Sequence, residues 1–226
     1  QTHNVSSAAT DVYKRQAYDW KACALGQGMS RGFIEGDMAE IWSEAEGCLK
    51  KAHELNDNDF EVHRLMAEVN LSGRNFRVAE RHASKAYKMV PNDPRVLSVY
   101  GEVSLRLGKI DQGLDALKLA LEIDPIAQGK TNSDSRTAPV IFGEFLARNK
   151  DNCLELVEKL EDIDPKSWLL TAKLCSDEEH DIIEEDWYKR GKEEFNDKDW
   201  PAEVDSFRLN NEGAKESLIE FAESLF

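Results

Sequence analysis

Two segments of this chain match at an interval of 34 residues. Ala67, Ala79, Ala86 and Pro91 are followed by Gly101, Gly113, Ala120 and Pro125 at the same offsets. An interval of this length marks a helical-hairpin repeat, in which one hairpin cannot bury its apolar face alone and stacks on the next. The small residues fall where helices cross at close range, and a larger side chain there would overpack the crossing by ~1–3 kcal/mol. The prolines end the second helix of each hairpin, because proline has no N–H for the ladder and biases the preceding residue away from helix. Such arrays are binding surfaces more often than catalysts, so the first question is what the chain holds.

The hydrophobic spacing extends the pattern on both sides. Ala17 to Arg31 is predicted helical, with Tyr18, Ala22, Leu25 and Met29 on one face. Gly32 to Asp37 is predicted as a turn, and Ile41 to Leu55 as a second helix whose Ala45, Leu49 and Ala52 precede Ala79, Ala83 and Ala86 by one repeat. The clear repeats cover 60–93 and 94–126, with turns at Ser72-Gly73-Arg74 and Leu107-Gly108-Lys109. Residues 127–137 are predicted as a loop. Pro139 to Ala147 and Asn152 to Ile163 form a worn hairpin ending at Pro165, with Cys153, Val157 and Leu160 in place of small residues. Beyond it, helices are predicted over 167–175, 177–195 and 213–226, with a break at Trp200-Pro201. The expected architecture is an all-α, right-handed solenoid. Its repeats cover 17–165 (about 17–58, 60–93, 94–126 and 138–165), and an acidic helical cap covers 166–226. Trp20, Trp42, Trp168, Trp187 and Trp200 are assigned to core or cap packing.

Residues 1–16 are read differently. Ser6-Ser-Ala-Ala-Thr-Asp-Val-Tyr-Lys-Arg-Gln16 looks like a translated sequencing adapter, so this segment is excluded from the fold and expected to be disordered. The chain is then expected to be the C-terminal fragment of a larger protein.

Charge excludes some partners. The formal net charge is −15, and residues 161–226 hold 20 Asp and Glu against 8 Lys and Arg. Sequence-independent attraction to nucleic acid or to anionic lipid needs a basic face, so neither is an expected partner. No apolar run reaches the ~18–20 residues of a membrane-crossing helix, and no secretory leader is recognisable. Cys23, Cys48, Cys153 and Cys175 are dispersed without a CxxC pair, which suits reduced thiols in a cytoplasmic protein.

No pattern specifies chemistry. Gly129-Lys130-Thr131 resembles the end of a phosphate-binding loop, but Asp124 stands where a glycine is required. His180 and Glu184 are four apart on an expected helix, a spacing that can present metal ligands, but a solvated acidic helix face is the favoured reading. His53, His63 and His82 fall on different helices with no shared motif. Neither a catalytic residue, a cofactor nor a metal site is therefore assigned. The candidate partner groove is the exposed side of the first helix of each repeat: Arg64, Glu68 and Leu71, then Ser98, Glu102, Leu105 and Arg106. Glu68 and Glu102 would repel an anionic peptide end, so the expected partner is a mixed or basic peptide, a protein, or an intramolecular domain.

The repeats over 60–126, and more loosely over 17–165, resemble the tetratricopeptide family. Ala17-Tyr18-Asp19-Trp20, Asn58 to Met66, and Val90 to Val96 with Gly101-Glu102 and Leu107-Gly108 further resemble the C-terminal repeat segment of bacterial class III adenylate cyclases. That resemblance implies a non-catalytic regulatory module attached to an effector domain; no cyclase residues are present to carry over. A stand-alone scaffold or self-association protein is the alternative, and a cryptic metal-dependent enzyme using His180 and Glu184 a more distant one.

Overall fold

Alanines at the helix crossings set the packing. In the computed structural model, which describes residues 2–30, 33–125, 134–209 and 211–226, the chain is all-α, with twelve helices and no strand among the described residues. They are α1 (Thr2–Ser30), α2 (Met38–Leu55), α3 (Phe60–Ser72), α4 (Phe76–Met89), α5 (Pro94–Arg106), α6 (Ile110–Ile123), α7 (Asp134–Leu146), α8 (Lys150–Val157), α9 (Pro165–Asp177), α10 (Asp186–Glu194), α11 (Trp200–Ser206) and α12 (Glu212–Ser224). They form two compact units, Gln1–Val103 and Ser104–Phe226, with the division falling inside α5.

In the first unit α1 pairs with α2 and α3 with α4, and α2 also packs on α3. Ala45, Ala52, Ala67, Ala79, Ala83 and Ala86 are fully buried, as the echo requires. The 34-residue interval also appears in contacts. Asp59 and Asp93 both cap a helix, accepting from the Glu61 and Arg95 amides at 2.9 Å, and each satisfies a donor the helix start leaves open. Arg95 Nη1 donates to Glu61 at 3.3 Å, joining equivalent positions of successive repeats. Tyr87 and Tyr100 stack with ring centroids 4.3 Å apart.

One turn geometry recurs in both units. The amides of Asn75, Lys109, Asn149 and His180 donate to the carbonyls of Asn70, Ser104, Glu144 and Cys175 at 2.8–2.9 Å. The residues just before these donors, Arg74, Gly108, Arg148 and Glu179, all have positive φ, between 53° and 75°. This is the left-handed helix ending that satisfies terminal carbonyls. In the predicted turn Ser72-Gly73-Arg74, Gly73 has φ −78° and Arg74 takes the left-handed position.

The second unit is built around α9, which contacts α7, α8, α10, α11 and α12. Trp168, Leu169, Leu170, Ala172, Leu174 and Cys175 have no measurable exposure. Residues 166–226 thus share one core with Leu105, Phe142, Cys153 and Val157. The Trp168 indole stacks on Tyr188 and Trp200, with centroids 5.5 and 6.0 Å away, and its Nε1 donates to the Tyr188 carbonyl at 3.2 Å.

Several local expectations are corrected. Residues 2–16 are helical and continuous with α1. No glycine or proline interrupts the ladder there, although the side chains from Ala9 to Lys14 are exposed. Within the expected loop, 126–133 lie outside the described residues, and 134–137 already belong to α7. Pro139 lies inside that helix rather than at its start; its fixed φ suits a helix and forfeits one ladder bond. Residues 178–185 are not helical, because the turn at Glu179 closes α9. Trp200-Pro201 opens α11 instead of breaking a segment. Asp199 caps it through the Ala202 amide at 3.1 Å, and proline is accepted in a first turn. Among Trp20, Trp42, Trp168, Trp187 and Trp200, Trp20 is an exception to core packing, at 75% exposed.

Two glycines separate packing from propensity. A Cβ at Gly191 would stand 2.2 Å from Trp168 Cδ1, whereas a Cβ at Gly47 on α2 would meet nothing within 4 Å. Gly191→Ala is expected to destabilise the protein by ~1–3 kcal/mol, and Gly47→Ala to stabilise it by ~0.5–1 kcal/mol. Urea unfolding of both variants checks the pair.

Candidate functional site

The candidate groove residues are more constrained than their sequence positions suggest. In the first unit Arg64 is buried, at 7% exposure. Its Nε and Nη2 donate to Glu61 at 3.1 and 2.6 Å, and its Nη1 to Glu68 at 2.5 Å. Leu71 is buried, while Glu68, Ser98 and Glu102 are half-buried. The Ser98 hydroxyl donates to the Pro94 carbonyl at 2.8 Å. Arg64 and Glu68 are thus paired within α3 and Ser98 is bonded within α5, while Glu61 also accepts from Arg95 of the next repeat.

The network reaches α1. Arg15 pairs with Asp59 and, at 3.2 Å, with Asp19. Asp19 is buried, its Oδ1 has no hydrogen-bond partner, and burial pushes its carboxyl up to about 6. Arg15 and Arg64 oppose that rise, and Asp59 and Glu61 add to it. An acid whose folded pKa lies above its unfolded value favours the folded state when protonated, and that contribution is lost as pH rises from about 4 through about 6. Asp19→Asn is therefore expected to stabilise the protein at pH 7.5, by on the order of 2 kcal/mol, with the gain gone below about pH 4. Thermal melts of both proteins across this range measure it; a variant less stable at pH 7.5 would contradict the sign.

In the second unit Leu105 and Arg106 line a cleft of about 380 Å³. Its walls are Leu105, Phe142, Phe145, Leu146, Leu209 and Leu218, and its rim carries Arg106, Arg148, Lys173 and Asp177. Arg106 is buried rather than outward-facing, at 8% exposure. Its guanidinium lies 4.1 Å from the Phe142 ring centroid, and its Nη2 donates to the Phe207 carbonyl at 3.0 Å. Arg148 pairs with Asp177 at 3.0 Å, and Lys173 pairs with the same carboxylate. Ala214 and Ser217, on α12, are exposed at the mouth. The arrangement is an apolar floor with a mixed-charge edge, suited to side chains of a partner segment. Leu105 was legible as a candidate from the repeat register. Leu209, Ala214 and Leu218 were not, since they come from a part of the chain with no repeat signal.

The other sequence readings disperse. His180 follows the turn that ends α9, and Glu184 pairs with Lys189 at 2.8 Å at an acidic cleft formed with Glu158, Glu185, Asp186 and Glu193; they do not share a helix face. Gly129, Lys130 and Thr131 lie outside the described residues. His53, His63 and His82, unrelated in sequence, do come together. Their ring centroids are 5.1 Å apart for His63 and His82, 5.2 Å for His53 and His63, and 6.2 Å for His53 and His82.

Comparisons with known proteins place this architecture. The helical hairpins are of the tetratricopeptide type. A solved structure of PilF from Pseudomonas aeruginosa superposes with a TM-score of 0.62 at 17% identity, covering 96% of this chain and 92% of that one. Cellulose synthase operon protein C of Pseudomonas fluorescens is 28% identical over 130 residues, 54% of this chain and 10% of its own length. U-box domain-containing protein 70 of Oryza sativa is 29% identical over 111 residues, 48% of this chain and 14% of its own length. The chain therefore spans a small part of both curated relatives. No family model matches the sequence, and neither of these relatives is named as a cyclase. No described helix is long and apolar enough to cross a membrane.

Proposed function

We propose that this chain is a non-catalytic protein-interaction module that holds a short apolar segment of a partner protein in the cleft of its second unit. The observation that carries this reading is the pairing of an apolar floor (Leu105, Phe142, Phe145, Leu146, Leu209 and Leu218) with a rim that carries both charges. The floor offers dispersion and desolvation to two or three partner side chains. The Arg148–Asp177–Lys173 edge favours a segment with mixed-charge flanks, because either sign finds a complement there. An amphipathic helix laid in a groove is one common way such a floor is used. The likeness of the repeats to the segment behind class III adenylate cyclases supports a regulatory role beside an effector domain, and the fold supports a protein partner more generally.

The test begins with peptides selected from a displayed random library against the full chain, their affinities measured by fluorescence anisotropy. Ala214→Trp fills the mouth of the cleft from an exposed position. It is expected to weaken selected peptides at least about tenfold, a loss of ~1.4 kcal/mol, with an unchanged melting temperature. Full affinity in Ala214→Trp, combined with loss in Glu68→Lys or Glu102→Lys, would move the site to the first unit.

A further inference from the structure

Trp20 is 75% exposed and Tyr13 72% exposed, although the opposite side of α1 is packed. Ala17 and Ala24 are exposed as well. Residues 13, 17, 20 and 24 are spaced by four, three and four positions, which places their side chains on one stripe of an α-helix. The stripe faces away from Ala22, which packs with Ala45, Cys48 and Leu49 of α2 and Leu65 of α3.

The repeats show how this face is used elsewhere in the first unit. Ala22, Ala67 and Gly101 are the buried small residues of α1, α3 and α5. Counted from them, Ala17, Trp20 and Ala24 correspond to Val62, Leu65 and Val69 in α3 and to Val96, Val99 and Val103 in α5. Val62, Leu65, Val96, Val99 and Val103 are buried, and Val69 is half-buried. Leu65 and Val69 pack with Ala22, Ala45 and Leu49 of the hairpin before them. In α1 the equivalent face is left exposed, and it carries a tryptophan.

We propose that this face joins two copies of the chain, α1 of one lying antiparallel on α1 of the other across a two-fold axis.

A two-fold interface must be complementary to itself, with every contact made twice. The stripe meets that condition. With the axis level with the midpoint of residues 18 and 19, Trp20 of each copy lies opposite Ala17 of the other, and Tyr13 lies opposite Ala24. Each large ring then faces a methyl group, so the two surfaces interdigitate. The two Trp20 and two Tyr13 rings bury roughly 600–1,000 Å² together, at ~150–250 Å² each. That is the low end for a specific interface and fits a weak, reversible dimer.

The flanking charges make the arrangement distinctive. Lys14 and Lys21 lie on one flank of the stripe. A two-fold axis brings like flanks together, so Lys14 of each copy stands beside Lys21 of the other. Lys21 pairs with Glu44, which shields part of this repulsion. The net charge of −15 on each copy opposes association further. Both repulsions are screened by salt, so the dimer tightens as ionic strength rises. Lys14→Glu turns two repulsive contacts into two attractive ones.

The experiment is sedimentation equilibrium of the full chain at pH 7.5 in about 150 mM NaCl, over a wide range of concentration. A monomer–dimer equilibrium is expected, with Kd between about 1 and 100 µM. Trp20→Glu and Ala17→Glu should each weaken it at least about tenfold. Both positions are exposed, so the melting temperature of dilute protein should not change. Lys14→Glu should strengthen the dimer at least about twofold, the scale of helix-surface ion pairs. Ala214→Trp, in the cleft of the second unit, should leave it unaltered. A monomer at every concentration would overturn the proposal. So would a dimer that survives Trp20→Glu, one that is lost in Ala214→Trp, or one that Lys14→Glu weakens.

Discussion

Close approach of helix backbones at side chains no larger than a methyl group is the constraint on which the first unit depends. Ala45, Ala52, Ala67, Ala79, Ala83 and Ala86 are fully buried, and each marks a place where a larger residue would hold two helices apart. Proteins pack at the density of organic crystals, so such a crossing tolerates little added volume. The second unit uses the same device at Gly143, where a Cβ would stand 2.6 Å from Leu114 Cδ2, and at Gly191. Gly191 lies against Trp168, and the indole could not stack on Tyr188 and Trp200 if that glycine carried a side chain.

Polar groups then fix the register that the small residues permit. The Glu61–Arg95 contact spans one repeat interval, and Asp59 and Asp93 cap helices one interval apart. The residues that look most like a binding face from the spacing of the first helices, Arg64 above all, are consumed by this internal bracing. The surfaces left open include the apolar cleft of the second unit, where α7 brings Phe142, Phe145 and Leu146, and α12 brings Leu218, beside the end of α5.

The repeat, the helix class and most hairpins were legible because each is written at a fixed interval along the chain. Ala79 and Gly113 share a position that only small residues can fill, and a proline after α4 stops a ladder in any context. Helix ends were less legible. The left-handed residue that closes α3 and α9 is Arg74 and Glu179 respectively, where glycine is the usual signal; Gly73 still marked the first of these turns, whereas nothing marked the one at Glu179, inside a segment predicted as helix. Pro201 was read as a breaker because its capping partner, Asp199, acts through a hydrogen bond that composition does not show.

The sequence by itself determined that this chain is all-α, that its hairpins repeat at 34 residues, and which small residues sit at the crossings, because each of these follows from local sterics and backbone hydrogen bonding. The tertiary structure alone decided that His53, His63 and His82 meet, that Arg64 is braced internally and that Leu105 shares a cleft with Leu218. Such juxtapositions depend on how separate helices are rotated about their axes when they pack. That rotation is set by the whole of the buried surface, and no interval in the sequence encodes it.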